Sequence, residues 1–225
     1  MRRLDCLERW ATFDCYGTLV DWRAGIGGEL SRLFGEERAD ALLDAYHEIE
    51  PDVQRDGALS YREVMARTLA RVADREGSQI PVGERDSLAL SLPRWPVFAD
   101  ARASLTQARE LGWRLGILSN TDRDLIDASI EALGVPIDLA IVASEIGSYK
   151  PAHRHWEAFA EKTGAQADRQ VHVAQSLFHD VAPARELGIR SIWINRLGES
   201  ATVRPTRELW GLTDLADTLD ELVPA

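Results

Sequence analysis

The sequence predicts an α/β protein: a Rossmann-like three-layer core on a parallel sheet, with an all-helical cap inserted into it. Three observations predict this. Short apolar runs of strand length recur along the chain, segments with helical spacing lie between them, and one long stretch shows helical patterning alone. Strand and helix in alternation mean β-α-β units, a parallel sheet, and chemistry at the carboxyl ends of its strands.

Taken in order, the first strand is Trp10-Ala11-Thr12-Phe13, which runs into an acid and then a Gly turn. From Val20 to Arg94 no strand is predicted. Leu42, Tyr46 and Ile49 line one helix face there, and Tyr61, Val64, Met65, Leu69 and Val72 line another. Pro93 and Pro96 bracket Trp95, where the chain returns to the sheet. The expected division is a core of residues 1–19 and 95–225 and a helical cap of residues 20–94. Placed directly after the first strand, that cap would sit over the carboxyl edge as a mobile lid.

Arg114 to Leu118 reads as the second strand. The helix after it repeats Leu125, Ile126, Ser129, Ile130 and Leu133, and Gly134 and Pro136 stop it. Leu139-Ala140-Ile141-Val142 is the third strand. A helix marked by Trp156, Phe159 and Ala160 follows, with Pro151 at a first-turn position. Val171 to Ala174 is the fourth strand, its helix carries Val181, Ala184 and Leu187 and stops at Gly188, and Ser191 to Ile194 is the fifth.

Length and composition bound the function. A chain of 225 residues, 45% hydrophobic and 28% charged, suits one core carrying an insert and excludes a disordered chain. Its 26 Lys and Arg against 37 Asp and Glu leave a net charge of −11, so nucleic acid and anionic membrane are disfavoured as partners. A small anionic substrate is compatible with that charge, because a pocket can be locally positive. No apolar run reaches the roughly 20 residues of a membrane helix, and the N-terminus lacks a signal peptide's apolar stretch. Cys6 and Cys15 are too few for a disulfide scaffold and fit a reducing compartment. The expectation is a soluble cytoplasmic protein, for which a homodimer is compatible.

Four segments could carry chemistry. In Asp14-Cys15-Tyr16-Gly17-Thr18 an acid stands at a strand end among backbone amides, which suits a nucleophilic carboxylate; the plainer reading is a turn cap. Ser119-Asn120-Thr121-Asp122 follows a buried strand and precedes a helix, either as an anion cradle or as helix caps. Lys150 stands just before Pro151, a position that matters only if the ammonium turns inward to a carboxylate. Gln175-Ser176-Leu177-Phe178-His179-Asp180 is a polar loop ending in an acid, where Asp180 as a helix cap is the plain alternative.

Each segment is weak alone, but their order resembles the four motifs of the haloacid dehalogenase superfamily over nearly the whole chain. Departures from that pattern point to a branch. Phosphatases of the superfamily carry Asp-x-Asp in the first motif, where this chain has Tyr16, and a further metal-binding acid in the fourth, where it has Gln175, Ser176 and Leu177. Losing two carboxylates removes charge and ligands from a hard divalent cation. The Asp-x-Tyr-Gly-Thr-Leu pattern instead resembles the L-2-haloacid dehalogenases, which need no metal or other cofactor.

That resemblance implies metal-independent hydrolysis of a small 2-haloalkanoic acid to a 2-hydroxy acid through an ester on Asp14. Lys150 would orient and tune Asp14, and Asp180 would pair with Lys150 and activate water. Tyr16, Thr18, Ser119, Asn120 and Ser176 would bind substrate, with Thr18, Ser119 and the loop amides on its carboxylate and Asn120 near the halide. The family's halide-accepting cap arginine has Arg23, Arg55 and Arg62 as candidates here, and Trp156 stands where the family has a tyrosine. The alternatives are a phosphatase with a reduced magnesium site at Asp14 and Asp180, or a non-catalytic metabolite-binding relative. His153, His155, His172 and His179 read as surface or capping residues, with His179 alone near the pocket. Cys15 reads as a small apolar filler, and Trp22 and Trp95 as packing at the hinge.

Overall fold

The structure is a computed structural model that describes residues 8–55 and 59–225, so Cys6 lies outside it. Six strands form one parallel sheet: β1 (Arg9–Phe13), β2 (Trp113–Ser119), β3 (Leu139–Val142), β4 (Gln170–Ala174), β5 (Arg190–Ile194) and β6 (Arg207–Leu209), in the spatial order β3-β2-β1-β4-β5-β6. β1 is central. Its last residue, Phe13, is in register with Ile117 on one side and Val173 on the other, so the strand order reverses beside it and opens a crevice at the carboxyl edge.

Five strands fall where the apolar runs lie. The sixth was not foreseen, because Arg207–Leu209 is three residues long and mostly exposed, and it joins the sheet through its backbone pairing with β5. The inner strands are buried on both faces, as a parallel sheet requires. On one face Ala11, Phe13, Ile117, Val173 and Ile192 pack against α5 (Ala101–Glu110), α6 (Arg123–Leu133) and α10 (Leu215–Leu222). On the other, Trp10, Leu118 and Ile141 meet Trp156 and Phe159 of α8 (Arg154–Thr163) and Ala184 of α9 (Ala182–Glu186). A short α7 (Ala143–Ile146) follows β3.

Between β1 and β2 lie α1 (Trp22–Phe34), α2 (Glu36–Gln54), α3 (Tyr61–Arg75) and α4 (Ser87–Ser91), with α1 packed on α2 and α2 on α3. Their amphipathic faces supply Ile26, Leu30, Leu42, Tyr46, Met65 and Leu69 to the same apolar cluster that covers the sheet. The two chain crossings into this segment are tied together: Asp21 N donates to Pro96 O at 2.8 Å and Phe98 N to Leu19 O at 3.0 Å. Trp95 is buried beside them, its indole Nε1 donating to Ser91 Oγ at 2.9 Å. Gly25 of α1 lies so close to this ring that a Cβ there would stand 2.3 Å from it. No helix among the described residues is long and apolar enough to cross a membrane.

One polar contact pins the helical segment to the sheet edge. Asp122 precedes α6, where a local cap was the plain expectation, yet its carboxylate accepts no cap bond from that helix. It reaches instead to the N-terminus of α3, taking bonds from Tyr61 N and Arg62 N at 3.0 Å each, while Ser60 Oγ takes Glu63 N at 3.3 Å. A carboxylate on the free N–H groups of a first turn also complements the helix dipole. Asp122→Ala is expected to cost about 1–2 kcal/mol, as loss of a cap does, measured as a lower denaturant midpoint at unchanged slope. An unchanged midpoint would show that α3 does not depend on this anchor.

Candidate active site

The site begins where β1 ends. Asp14 N donates to Val173 O at 3.0 Å, extending the β1–β4 ladder by one residue and fixing the Asp14 backbone at the crevice. The chain then turns tightly: Cys15 O accepts from Thr18, Leu19 and Val20 N, and Gly17 N donates to Val20 O at 2.8 Å. Gly17 has φ +97°, which a side chain resists, and a Cβ there would press on Trp22 and Gln175. The Gly17, Thr18 and Leu19 amides are therefore engaged inside the turn and do not form the expected substrate cradle. Cys15 is buried in the apolar core, and burial, with Asp14 beside it, pushes its thiol well up.

Lys150 joins three strand ends. Its ammonium, on a side chain 2% exposed, donates to Asp14 Oδ1 at 2.9 Å, Leu118 O at 2.8 Å and Asp180 Oδ1 at 2.6 Å, which engages all three of its protons. Asn120 fixes the backbone that presents it, with Oδ1 accepting from Lys150 N at 2.6 Å and Nδ2 donating to Lys150 O at 3.0 Å. Asp180 sits in a π-helical turn, Leu177–Val181, and points its carboxylate at Lys150 rather than capping a helix. Ser176 Oγ caps that turn through His179 N at 3.0 Å and pairs with His179 Nδ1 at 3.1 Å. Thr18 donates to Asp14 Oδ2 at 3.0 Å and accepts from Gln175 N at 3.0 Å.

A buried polar chain supports the cluster from within the sheet. His172 Nε2 lies 2.9 Å from Asp180 Oδ1, its Nδ1 lies 3.0 Å from Thr12 Oγ1, and Gln170 Nε2 donates to that same hydroxyl at 3.0 Å. His172 thus links the Asp180 carboxylate to Thr12 and Gln170 in one buried chain. Trp156 covers this histidine edge-on at 5.2 Å. His155 donates Nε2–H to Ser119 O at 3.1 Å, and burial, reinforced by the Lys150 charge, pushes it down to about 3, so it stays neutral.

The two carboxylates differ in character. Burial pushes Asp14 up, Asp180 adds to the rise, and Lys150 and Thr18 offset it only in part. Burial also opposes ionisation of Asp180, but Lys150 and His172 outweigh it and hold this group well below the usual range. Lys150 is raised, because its two carboxylates outweigh the burial that opposes its charge. Asp180 is thus the fixed anion, and Asp14 is the more basic and more loosely held one.

These groups line a cavity of about 140 Å3. Asp14, Ser119, Asn120, Lys150, Gln175, Ser176, His179 and Asp180 come from the sheet edge, and Trp22, His47, Glu50, Pro51, Gln54 and Tyr61 from the helical segment. Two sheet-side atoms, Ser119 Oγ and Asp180 Oδ2, are buried without a hydrogen-bond partner. Glu50 Oε1 on the opposite wall is in the same condition, and burial pushes that carboxyl up to about 7.

The haloacid dehalogenase-like hydrolase family model matches residues 9–188. The chain belongs to that family. Among haloacid dehalogenase-like hydrolases, the (S)-2-haloacid dehalogenase 4A of Burkholderia cepacia is 24% identical over 227 residues, 96% of this chain and 94% of its own. The solved structure of the L-2-haloacid dehalogenase RSc1362 superposes with a TM-score of 0.85 at 22% identity, covering 95% of this chain and 99% of that one. A phosphoserine phosphatase from Thermus thermophilus matches a shorter stretch, 29% identical over 105 residues, 46% of this chain and 42% of its own.

Within this haloacid dehalogenase-like hydrolase the eight expected site residues converge at one sheet edge, but several stand differently from the expectation. Thr18 is wholly buried and holds Asp14, so it does not face substrate. Tyr16 lines the cavity with its ring, while its hydroxyl pairs with Ser129 Oγ at 3.2 Å, away from the chemistry. Asn120 is engaged with the Lys150 backbone and Ser176 with its own turn. His155 and His172, expected as surface or capping residues, are wholly buried, and Trp22, expected at the hinge, lines the cavity. The candidate cap arginines are elsewhere: Arg23 pairs with Asp44 at 3.6 Å, Arg55 with Asp52 at 3.0 Å and Arg62 with Asp124, and no arginine among the described residues lines the cavity. Glu50 had no sequence signal apart from its place on a helix near the lid face.

Removing one partner of a buried ion cluster strands the others. Lys150→Met is expected to lose about 3–5 kcal/mol of stability in chemical denaturation, and adding Asp14→Asn should return part of it. A Lys150→Met variant as stable as the parent would contradict the ion cluster.

Proposed function

We propose that this hydrolase removes halide from a small 2-haloalkanoic acid, with Asp14 as nucleophile and no metal. The observation that carries the reading is the Asp14–Lys150–Asp180 cluster at the floor of a small cavity. One carboxylate there is desolvated and basic, and the other has a buried oxygen left unpartnered. The haloacid dehalogenases among its relatives support the same reading.

Asp14, steered by Lys150 on one oxygen and Thr18 on the other, attacks C2 of the substrate, and the carbon–halogen bond breaks with inversion. Ser119 Oγ, free of protein partners, donates to the substrate carboxylate. Water then attacks the Asp14 ester carbonyl and Asp180 Oδ2 accepts its proton, with His172 and Lys150 holding the other Asp180 oxygen. We further propose that residues 20–94 act as a cap over residues 1–19 and 95–225. The cap would open at the tied crossings around Val20 and Pro96 to admit substrate.

A divalent cation fits this donor set poorly. The Lys150 ammonium lies between the two carboxylates and bonds an oxygen of each, and the nearby Gln175 is neutral. The magnesium phosphatase alternative therefore finds its two carboxylates already bridged by a cation.

Halide and phosphate release from 2-haloacids and phosphate esters, with and without EDTA, tests the function. Halide release is expected to be unaffected by EDTA and abolished in Asp14→Asn with folding intact. Because Asp14 acts ionised and is raised, kcat/KM should fall on acidification at a pH above the ordinary aspartate range. Asp180→Asn should accumulate the Asp14 ester. EDTA-sensitive phosphate release restored by magnesium would overturn the reading.

A further inference from the structure

The leaving group in this reaction departs as an anion, and the cavity offers it no free cation among the described residues. Lys150 has committed all three protons, and no arginine lines the wall. In-line attack by Asp14 at the floor directs the departing atom to the opposite wall, which α2 and α3 build with Glu50, Pro51, Gln54 and Tyr61. Glu50 is the one acid on that wall among the described residues, and its Oε1 is sealed from solvent with no hydrogen-bond partner.

We propose that Glu50 is the catalytic acid for the leaving group, a role that rests on the Asp14 nucleophile reading. As the Asp14 oxygen bonds C2, the C–X bond breaks, its electron pair goes to X, and the neutral Glu50 carboxyl donates its O–H to the departing X. HF is a weak acid, so fluoride takes the proton, whereas HCl and HBr are far stronger acids than a carboxyl, so chloride and bromide leave as hydrogen-bonded anions and Glu50 keeps its proton. Ester hydrolysis consumes one water and leaves a proton, first on Asp180, which restores Glu50 where fluoride took its proton and is otherwise released as product departs. The sum is R–X plus water to R–OH plus X⁻ and H⁺. Fluoride, whose conjugate acid is the weakest of the hydrohalic acids, gains most from this proton, and bromide least.

The surroundings favour the neutral form of Glu50. Among the described residues Tyr46 on its own helix, Tyr61 of α3 and Tyr149 before Lys150 are the titratable groups near it, none a cation, and Gln54 adds a neutral amide. Across the cavity stand the net-negative Asp14–Lys150–Asp180 cluster, with His179 there and His47 at the rim. Burial is the largest cause of the rise to about 7, and the Tyr61, Gln54 and Tyr46 side chains offset it only in part. The donating form is therefore present below that pH and is lost as the pH rises through it.

The test compares kcat/KM for 2-fluoro-, 2-chloro- and 2-bromopropionate in wild type and Glu50→Gln from acid to alkaline pH. Glu50→Gln should lose about 10²-fold or more on the fluoro acid, progressively less on the chloro and bromo acids, and the alkaline fall near neutrality should disappear. An equal loss on all three substrates with an unchanged pH profile would overturn the proposal. Bromide titration of the wild-type protein by calorimetry, in buffers of different ionisation heat, reads the same group without turnover or a variant. Uptake of a fraction of a proton near neutrality supports Glu50, and bromide that fails to bind, or binds without uptake, overturns it. Proton uptake in a protein that releases no halide would instead refute the Asp14 reading and with it the catalytic role, leaving Glu50 only as a halide-binding carboxyl.

Discussion

Everything at the carboxyl edge depends on where one buried ammonium can be satisfied. Lys150 Nζ bonds a carboxylate after β1, a carbonyl at the end of β2 and a carboxylate after β4, so three non-adjacent chain segments must meet within hydrogen-bond distance of one atom. Each ion taken from water costs several kcal/mol, and mutual attraction repays it only where the remaining lone pairs are also bonded. That requirement explains the extent of the polar network behind the site. Thr18 holds the second Asp14 oxygen, His172 braces Asp180, and Thr12 and Gln170 complete the chain inside a sheet that is otherwise apolar.

One cation shared by two anions produces an asymmetry that suits two-step chemistry. Asp180 takes the stronger share, with Lys150 at 2.6 Å and His172 at 2.9 Å, and remains ionised. Asp14 keeps a longer bond to Lys150, is buried and is more basic, and a more basic carboxylate is a better nucleophile. The opposite wall has the complementary character: among the described residues it presents no guanidinium, but a carboxyl group that burial holds partly protonated.

Much of this was legible in the sequence, and the failures have physical causes. Apolar runs and helix stops located five strands because parallel strands are buried on both faces and cannot hide their hydrophobicity; β6 escaped because an exposed three-residue edge needs none. That Asp14, Lys150 and Asp180 meet was legible from their order along the chain, since each follows a strand whose end must lie at the same edge. His172 was misread because a polar residue alternating with Val171 and Val173 signals solvent in an antiparallel sheet, whereas here that face lies under α8 and holds the buried polar chain. Thr18 and Asn120 lie at this sheet edge but take Asp14 and the Lys150 backbone as partners, because which of two nearby partners a short polar side chain takes is decided by turn geometry. Glu50 and Asp122 act across the interface between helical segment and sheet edge, about 60 residues apart in sequence for Asp122 and Tyr61, and no local pattern encodes such a contact.

The central claim is that Asp14 itself is alkylated by the substrate and is then freed by water. A single turnover in oxygen-18 water, followed by mass spectrometry of the peptide containing Asp14 and of the hydroxy acid, tests it most directly. Attack of water on the Asp14 ester predicts label in the Asp14 carboxylate and none in the first-turnover product. Label in the product with none in Asp14 would mean that water attacks C2 directly, and would contradict the claim.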